Sequence, residues 1–291
     1  MDLPCLPPLV NPKKPDLPLP AGACDTHFHL FGPTARFPYA PERSYTPPEA
    51  PLEAVLHMHG IVGVERGVVV QGNAHGTDCS ALLDALQREP GRLRGTAIVE
   101  NDISDAELRR MADTGVRALR FHHMPHGKGF RSSGLENFAA MAPRMANLGL
   151  HAQFMIDANA LGDALPCFKN WKLPVMIDHM GNVDAAKGVN QPGFQLLCRQ
   201  LAEGKVWAKV SGAYRISSQY PDYPDARAFH TALVQANPDQ VVWGSDWPHP
   251  RLEKDMPDTG RLLDLFNAWT PDAALRRKIL VENPARLYGF A

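Results

Sequence analysis

The sequence predicts an α/β fold of the (β/α)8 TIM-barrel class, and two observations carry that prediction. Eight short segments rich in Val, Ile and aromatic residues alternate with segments of helical period. Strands that alternate with helices are parallel, because each crossover helix returns the chain to the same end of the sheet. The first strand also runs into His29-Leu30-Phe31-Gly32-Pro33, not into the glycine-rich phosphate loop that an open doubly wound sheet carries there. The 291 residues, 44% hydrophobic and 21% charged, suit a barrel that reaches this size as one domain. We expect a proline-rich N-terminal arm over residues 1–20 and a single barrel domain over residues 21–291.

The strands are expected at Ala23 to Phe31, Gly63 to Gln71, Leu93 to Val99, Val116 to His122, Leu150 to Ile156, Pro174 to His179, Val206 to Ser211 and Gln240 to Ser245. Glu49 to His59 has helical period, and so does Asp78 to Arg88, which Thr77 would cap. Ser104-Asp105-Ala106-Glu107 reads as a capping box. Leu135 to Leu148 ends at Gly149, the expected residue just past a helix. Helices are also expected over Ala158 to Phe168, Gly193 to Ala202, Asp225 to Ala236 and Asp272 to Leu280, with a closing Asn283 to Tyr288 tail. Gly32 to Pro51 carries six prolines in twenty residues, which marks an ordered, long first βα-loop at the catalytic mouth.

Composition excludes several classes. Thirty basic and 31 acidic residues give a net charge of -1, which offers no footprint for nucleic acid or an anionic membrane surface. No apolar run reaches 18 residues, and the seven prolines of the first twenty residues break any signal-peptide helix. Five scattered cysteines without a Cys-x-x-Cys pattern fit free thiols in a cytoplasmic protein. Cys24 falls on the strand face opposite His27 and reads as packing. A homo-oligomer is compatible with the sequence.

Residues i and i+2 of a strand share a face, so His27 and His29 point together. Imidazoles so placed suit a metal clamp or an electrophilic pocket; on their own they also fit a surface pair. Barrel active sites draw on the C-terminal ends of several strands, and here strand six delivers His179 and strand eight Asp246. Strand four delivers Arg120 and His122 on one face. His75 follows strand two. His249 reads as structural, His57, His59, His151 and His230 as structural or solvated, and Trp243 and Trp247 as packing.

Asp25-Thr-His27-Phe-His29-Leu-Phe-Gly-Pro, Val70-Gln71 with His75-Gly-Thr-Asp78, Ile177-Asp-His179-Met-Gly181 and Trp243-Gly-Ser-Asp246-Trp-Pro-His249-Pro250 resemble the amidohydrolase superfamily. The nearest branch is the 2-pyrone-4,6-dicarboxylate lactonases, over about Ala21 to Tyr288. The resemblance implies that Asp246 is the base that deprotonates water, while His27, His29 and His179 polarise a lactone carbonyl. It implies substrate contacts from Arg120, Arg215 and Tyr45. Two further arginine positions of the branch hold His126 and Asn182, and Met155 stands for a strand-five tyrosine. Lys128 or Arg131 would compensate from the same loop. His75 and His122 are further candidates for substrate contact. Fewer fixed cations imply one acidic group on the substrate, or two placed differently.

Binuclear members of the superfamily use a lysine or glutamate near strand four and a histidine from strand five. Arg120 and Gln153-Phe-Met155-Ile-Asp157 supply neither, so a binuclear centre is not expected. The resemblance favours no required metal; the alternative is a single Zn held by His27, His29, His179 and Asp246. The expected partner is thus a small carboxylated lactone, with no nucleic acid and no membrane. Other readings are a zinc-dependent muconolactone or sugar-acid lactonase, a metal-dependent decarboxylase, and a lactone-binding barrel without catalysis.

Overall fold

The computed structural model describes residues 3–124 and 134–291. Eight strands run as β1 (Cys24–Phe28), β2 (Arg66–Val70), β3 (Leu93–Ala97), β4 (Val116–His123), β5 (His151–Ile156), β6 (Val175–Ile177), β7 (Trp207–Val210) and β8 (Val241–Trp243). The main helices between and after them are α1 (Leu52–Val62), α2 (Ser80–Arg88), α3 (Asp105–Thr114), α4 (Gly134–Asn147), α5 (Leu161–Lys169), α6 (Pro192–Ala202), α7 (Ala226–Ala236) and α8 (Thr259–Trp269). One helix follows each strand, which is the (β/α)8 pattern. No helix of the described residues is long and apolar enough to cross a membrane.

The chain divides into two compact units, Met1–Val99 with Trp243–Ala291, and Glu100–Val242. In the first, β1 pairs parallel with β2 and β2 with β3. Cys24, Val68 and Val70 bury one face of this sheet against Tyr288 and Phe290 from the end of the chain, so Cys24 is a packing residue. In the second, β4 pairs with β5, β5 with β6 and β6 with β7, all parallel. Phe121, Phe138, Phe154 and Phe168 pack there with ring centroids 4.8–5.7 Å apart. Edge-to-face and offset contacts of this kind hold helices on a sheet.

All eight expected strands form, and several helix starts differ. α1 begins at Leu52 after Pro51, a residue with no N–H to place inside a helix. Glu49, expected inside that helix, instead accepts from Thr34 N and Oγ1 at 2.6 and 2.7 Å and braces the first loop. Thr77 does not cap α2. The helix starts at Ser80, whose N–H bonds the Asp78 carboxylate at 2.9 Å. Ser104 does cap α3, accepting from Glu107 N at 3.1 Å. α8 was not legible from period alone; Asp258 caps it by accepting from Arg261 N at 3.0 Å.

The N-terminal arm lies against the first unit. Leu3–Pro4 pairs parallel with Tyr45–Thr46 of the first loop. Leu6 N donates to Leu252 O at 2.9 Å, and the Trp247 indole donates to Leu9 O at 3.4 Å. Lys13 pairs with Asp264.

Candidate active site

The first unit gathers His27, His29 and Asp246. β1 is irregular where they begin: its register on β2 shifts between Asp25 and Phe28, and such bulges re-aim side chains beside active sites. His27 and His29 converge nonetheless, with ring centroids 5.0 Å apart. Backbone bonds beyond the strand hold the neighbouring segments. Asp246 N donates to His27 O at 2.7 Å and His29 N to Trp247 O at 2.8 Å. Asp246 holds a left-handed φ of 62°, an uncommon conformation that a non-glycine residue keeps only where its surroundings fix it. Gly244 allows the close approach, since a Cβ there would lie 2.6 Å from the Cβ of His27.

Behind them sits a second carboxylate that the sequence reading missed. Asp25 Oδ1 accepts from Ser245 N at 2.8 Å and from His27 N at 3.1 Å. Its Oδ2 accepts from Ser245 Oγ at 2.5 Å and from His59 Nε2 at 3.2 Å. Asp25 and His59 are fully buried. One carboxylate thus fixes the backbone beside both His27 and Asp246, and His59 ties it to α1.

The rings of His27 and His29 meet edge-on, with centroids 5.0 Å apart. His29 Nδ1 lies 2.6 Å from Val70 O. A carbonyl only accepts, so Nδ1 carries the proton, and in the neutral ring Nε2 is then a lone pair. That Nε2 is 3.2 Å from Asp246 Oδ1, and His27 Nε2 is 3.6 Å from the same oxygen. A lone pair and a carboxylate at that distance call for a positive charge between them, either a proton or a metal ion.

The three groups fit a metal. Their ligand atoms lie within 4.8 Å of one another. A tetrahedral ion with bonds of about 2.0–2.1 Å places neighbouring ligand atoms about 3.3–3.4 Å apart, close to the 3.2 and 3.6 Å found here. The Nδ1–H bond from His29 to Val70 O is also the outer contact that orients a metal-binding imidazole.

An aromatic wall continues from His29. Phe31 lies 5.8 Å from the His29 ring, Tyr45 meets Phe31 edge-on at 6.2 Å, and His75 stacks on Phe31 at 6.1 Å. His75 is buried and its Nδ1 lies 3.2 Å from Pro38 O; burial holds its pKa below the ordinary histidine value. His249 is buried beside Thr259 Oγ1 at 3.4 Å.

The second unit carries the remaining candidates. His179 opens a turn in which it, Met180 and Asn182 all have positive φ, and its Nδ1 is 2.9 Å from Ser211 Oγ. Gly212 leaves room for it, since a Cβ there would lie 3.1 Å from His179 Nδ1. Asn182 Nδ2 donates to Ile156 O at 3.0 Å. The Arg215 guanidinium lies over the Tyr214 ring at 5.2 Å, and His122 is half-buried at the end of β4. His126, Lys128 and Arg131 lie outside the described residues.

Arg120 is buried, with its NH2 3.6 Å from Asp178 Oδ2. The same carboxylate accepts from Gln153 Nε2 at 3.1 Å and lies 3.4 Å from Lys209 Nζ. Asp178 and Lys209 were also missed in the sequence. The available signal was a lysine inside the apolar strand Val206-Trp-Ala-Lys-Val, since a fully buried lysine is rare without a partner.

The family model "Amidohydrolase" matches residues 24–290. The chain is 40% identical over 287 residues to a 2-pyrone-4,6-dicarboxylate hydrolase of Comamonas testosteroni, covering 96% of this chain and 93% of that one. It is 42% identical over 291 residues to a 4-sulfomuconolactone hydrolase of Rhizobium radiobacter, covering 98% and 97%. A crystal structure from Acinetobacter baumannii, described as a probable 2-pyrone-4,6-dicarboxylic acid hydrolase with citric acid bound, superposes with a TM-score of 0.82. It is 26% identical and covers 92% of this chain and 100% of that one. The chain belongs to the amidohydrolase family and has its (β/α)8 fold.

Proposed function

We propose that this chain is a lactonase that opens an acidic cyclic ester, with Asp246 as the base. The observation that carries the reading is the buried Asp246 carboxylate held against His29 and His27 at 3.2 and 3.6 Å. A carboxylate is ionised at neutral pH and can take a proton from water. Water then attacks the lactone carbonyl, whose oxygen gains negative charge as the carbon becomes tetrahedral. His27 and His179 are the donors we assign to that oxygen; His29, whose Nδ1–H is taken by Val70 O, joins them when its Nε2 also carries a proton. The ring C–O bond breaks, and the proton held by Asp246 passes to the leaving oxygen.

Metal chemistry is the second reading, and the donor spacing supports it. His27, His29 and Asp246 would hold the ion, which would polarise the carbonyl and lower the pKa of water to about 7. In either case Asp25 keeps the His27 and Asp246 backbone in place, and His29 is held by Val70 O.

The substrate class follows from the cations and the relatives. Arg120 and Arg215 suit acidic groups, which arginine meets with two parallel hydrogen bonds. Both curated relatives are named for lactones bearing acidic groups, and the Acinetobacter protein holds a tricarboxylic acid. We assign His75, Tyr45, His122, His126 and Asn182 to substrate contact. The test is a panel of 2-pyrone-4,6-dicarboxylate, its monoacids, 4-sulfomuconolactone and an uncharged lactone, followed by proton release. Hydrolysis of an acidic lactone is expected. Carbon dioxide release, or turnover confined to the uncharged lactone, would overturn the reading.

A further inference from the structure

The second unit buries more positive than negative charge around one carboxylate. Arg120 is 8% exposed, Asp178 0% and Lys209 0%. Asp178 Oδ1 faces Lys209 Nζ at 3.4 Å, while Oδ2 faces Arg120 NH2 at 3.6 Å and takes a hydrogen bond from Gln153 at 3.1 Å. Arg120 lies on β4, Gln153 on β5 and Lys209 on β7, and Asp178 directly follows β6. Two cations on one carboxylate leave a surplus of one positive charge among these three side chains. Burying charge is costly unless it is paired, so an arrangement of this kind suits a site that receives an anion. His151, fully buried at the start of β5, supports the same picture. Its pKa is pushed down to about 3, by burial first and then by the charge of Lys209, so it adds no charge of its own at neutral pH.

Arg120 alone beside Asp178 would form a neutral pair with little attraction left for a substrate. Lys209 changes that balance. We propose that Lys209 is a specificity-determining residue: by neutralising Asp178, it leaves the Arg120 guanidinium with a net positive charge for an acidic group on the lactone. The proposal rests on the acidic-lactone reading above. Lys209 acts through Asp178 and Arg120 and is a positioning residue, so its effect belongs in substrate affinity more than in the chemical step.

Steady-state kinetics on the acidic lactone that the panel finds fastest provide the test. Lys209→Met keeps the length and apolar stem of lysine and removes the charge. It is expected to raise KM tenfold or more while kcat moves less than threefold. The double variant Lys209→Met with Asp178→Asn removes both members of the neutralising pair and restores the surplus on Arg120. Its KM is expected to return to within threefold of wild type. An unchanged KM in Lys209→Met overturns the proposal. So does a double variant as impaired as the single, because packing and not charge would then be the cause. Should Lys209→Met fail to fold, the double variant decides alone, with wild-type KM supporting the proposal and a tenfold rise overturning it. A wild-type enzyme that hydrolyses no acidic lactone overturns the substrate reading and this proposal together. Hydrolysis with an indifferent Lys209 overturns only the latter.

Discussion

The two units of the chain hold their polar residues in opposite ways. In the first, carboxylates meet imidazoles: Asp246 faces His29 and His27, and Asp25 faces His59. These are groups that exchange protons or bind cations. In the second, a carboxylate meets basic side chains: Asp178 faces Lys209 and Arg120, and Arg215 lies on Tyr214. Ammonium and guanidinium groups pair with anions. The contrast separates the proposed labour of the molecule, with proton transfer in one unit and recognition of acidic groups in the other.

Substitution can break that separation. Asp246→Asn should produce the largest effect, a loss of at least about 10³-fold in kcat with substrate binding retained. General-base catalysis alone contributes roughly 10²–10⁴-fold. Near-normal turnover in stopped assays would remove Asp246 from the mechanism. Arg120→Gln should instead raise KM by about tenfold to a hundredfold on an acidic lactone, since a charge-assisted contact contributes roughly 1.5–3 kcal/mol. A fall confined to kcat would erase the distinction between the units. Asp25→Asn should fall between these two, lowering kcat by about tenfold to a hundredfold through misplacement of His27 and Asp246.

Metal removal sharpens the first half of the comparison. Activity is expected to survive exhaustive chelation, the positive charge between His29 and Asp246 then being a proton. Loss of activity that Zn²⁺ alone restores would assign that charge to a metal ion.

Much of this was legible because it is local or periodic. The eight strands follow from short apolar runs, and His27, His29, His179 and Asp246 stand at their ends. What escaped depends on contacts between distant residues. His59 lies 34 residues from Asp25 and reads as an ordinary polar residue on a helix, yet its Nε2 bonds a buried carboxylate. Asp178 stands next to His179, and only the fold brings Lys209 of β7 to within 3.4 Å of it. The register shift in β1 has no residue signature in Thr26-His27, since bulges there depend on how β2 pairs. α8 did carry a local sign, Asp258 before an apolar face, which was hidden among loop-like residues.

Acid sensitivity should also fall on the second unit. Burial pushes His151 and His230 down to about 3, with the charge of Lys209 adding to the effect on His151. Both stay neutral when folded and gain a proton when unfolded below about pH 6.5. The unfolded state then binds more protons, so stability is fully present above that pH and declines as pH falls from 6.5 toward 3. Each group should cost roughly 2 kcal/mol at pH 5. Urea melts from pH 8 to 5 should show the decline, and His230→Gln should flatten it by about half. An unaltered slope in that variant would mean that His230 is not buried neutral.

The smallest effect concerns the arm, and it tests whether the first unit also contributes to binding. Leu3–Pro4 pairs with the strand that carries Tyr45, and Leu9 O accepts from the indole next to Asp246. Tyr45 in turn packs on Phe31, which flanks His29. The arm therefore braces a substrate-contact candidate by strand pairing and the base loop by an indole hydrogen bond, each bond contributing about 0.5–1.5 kcal/mol. Deleting residues 1–20 should raise KM about threefold to tenfold and leave kcat within about threefold, because Asp25 and Val70 hold the proton-transfer groups independently of the arm. A larger loss in kcat than in KM would place the arm in the chemistry and narrow the contrast between the two units. An unchanged KM would confine substrate recognition to the cationic unit.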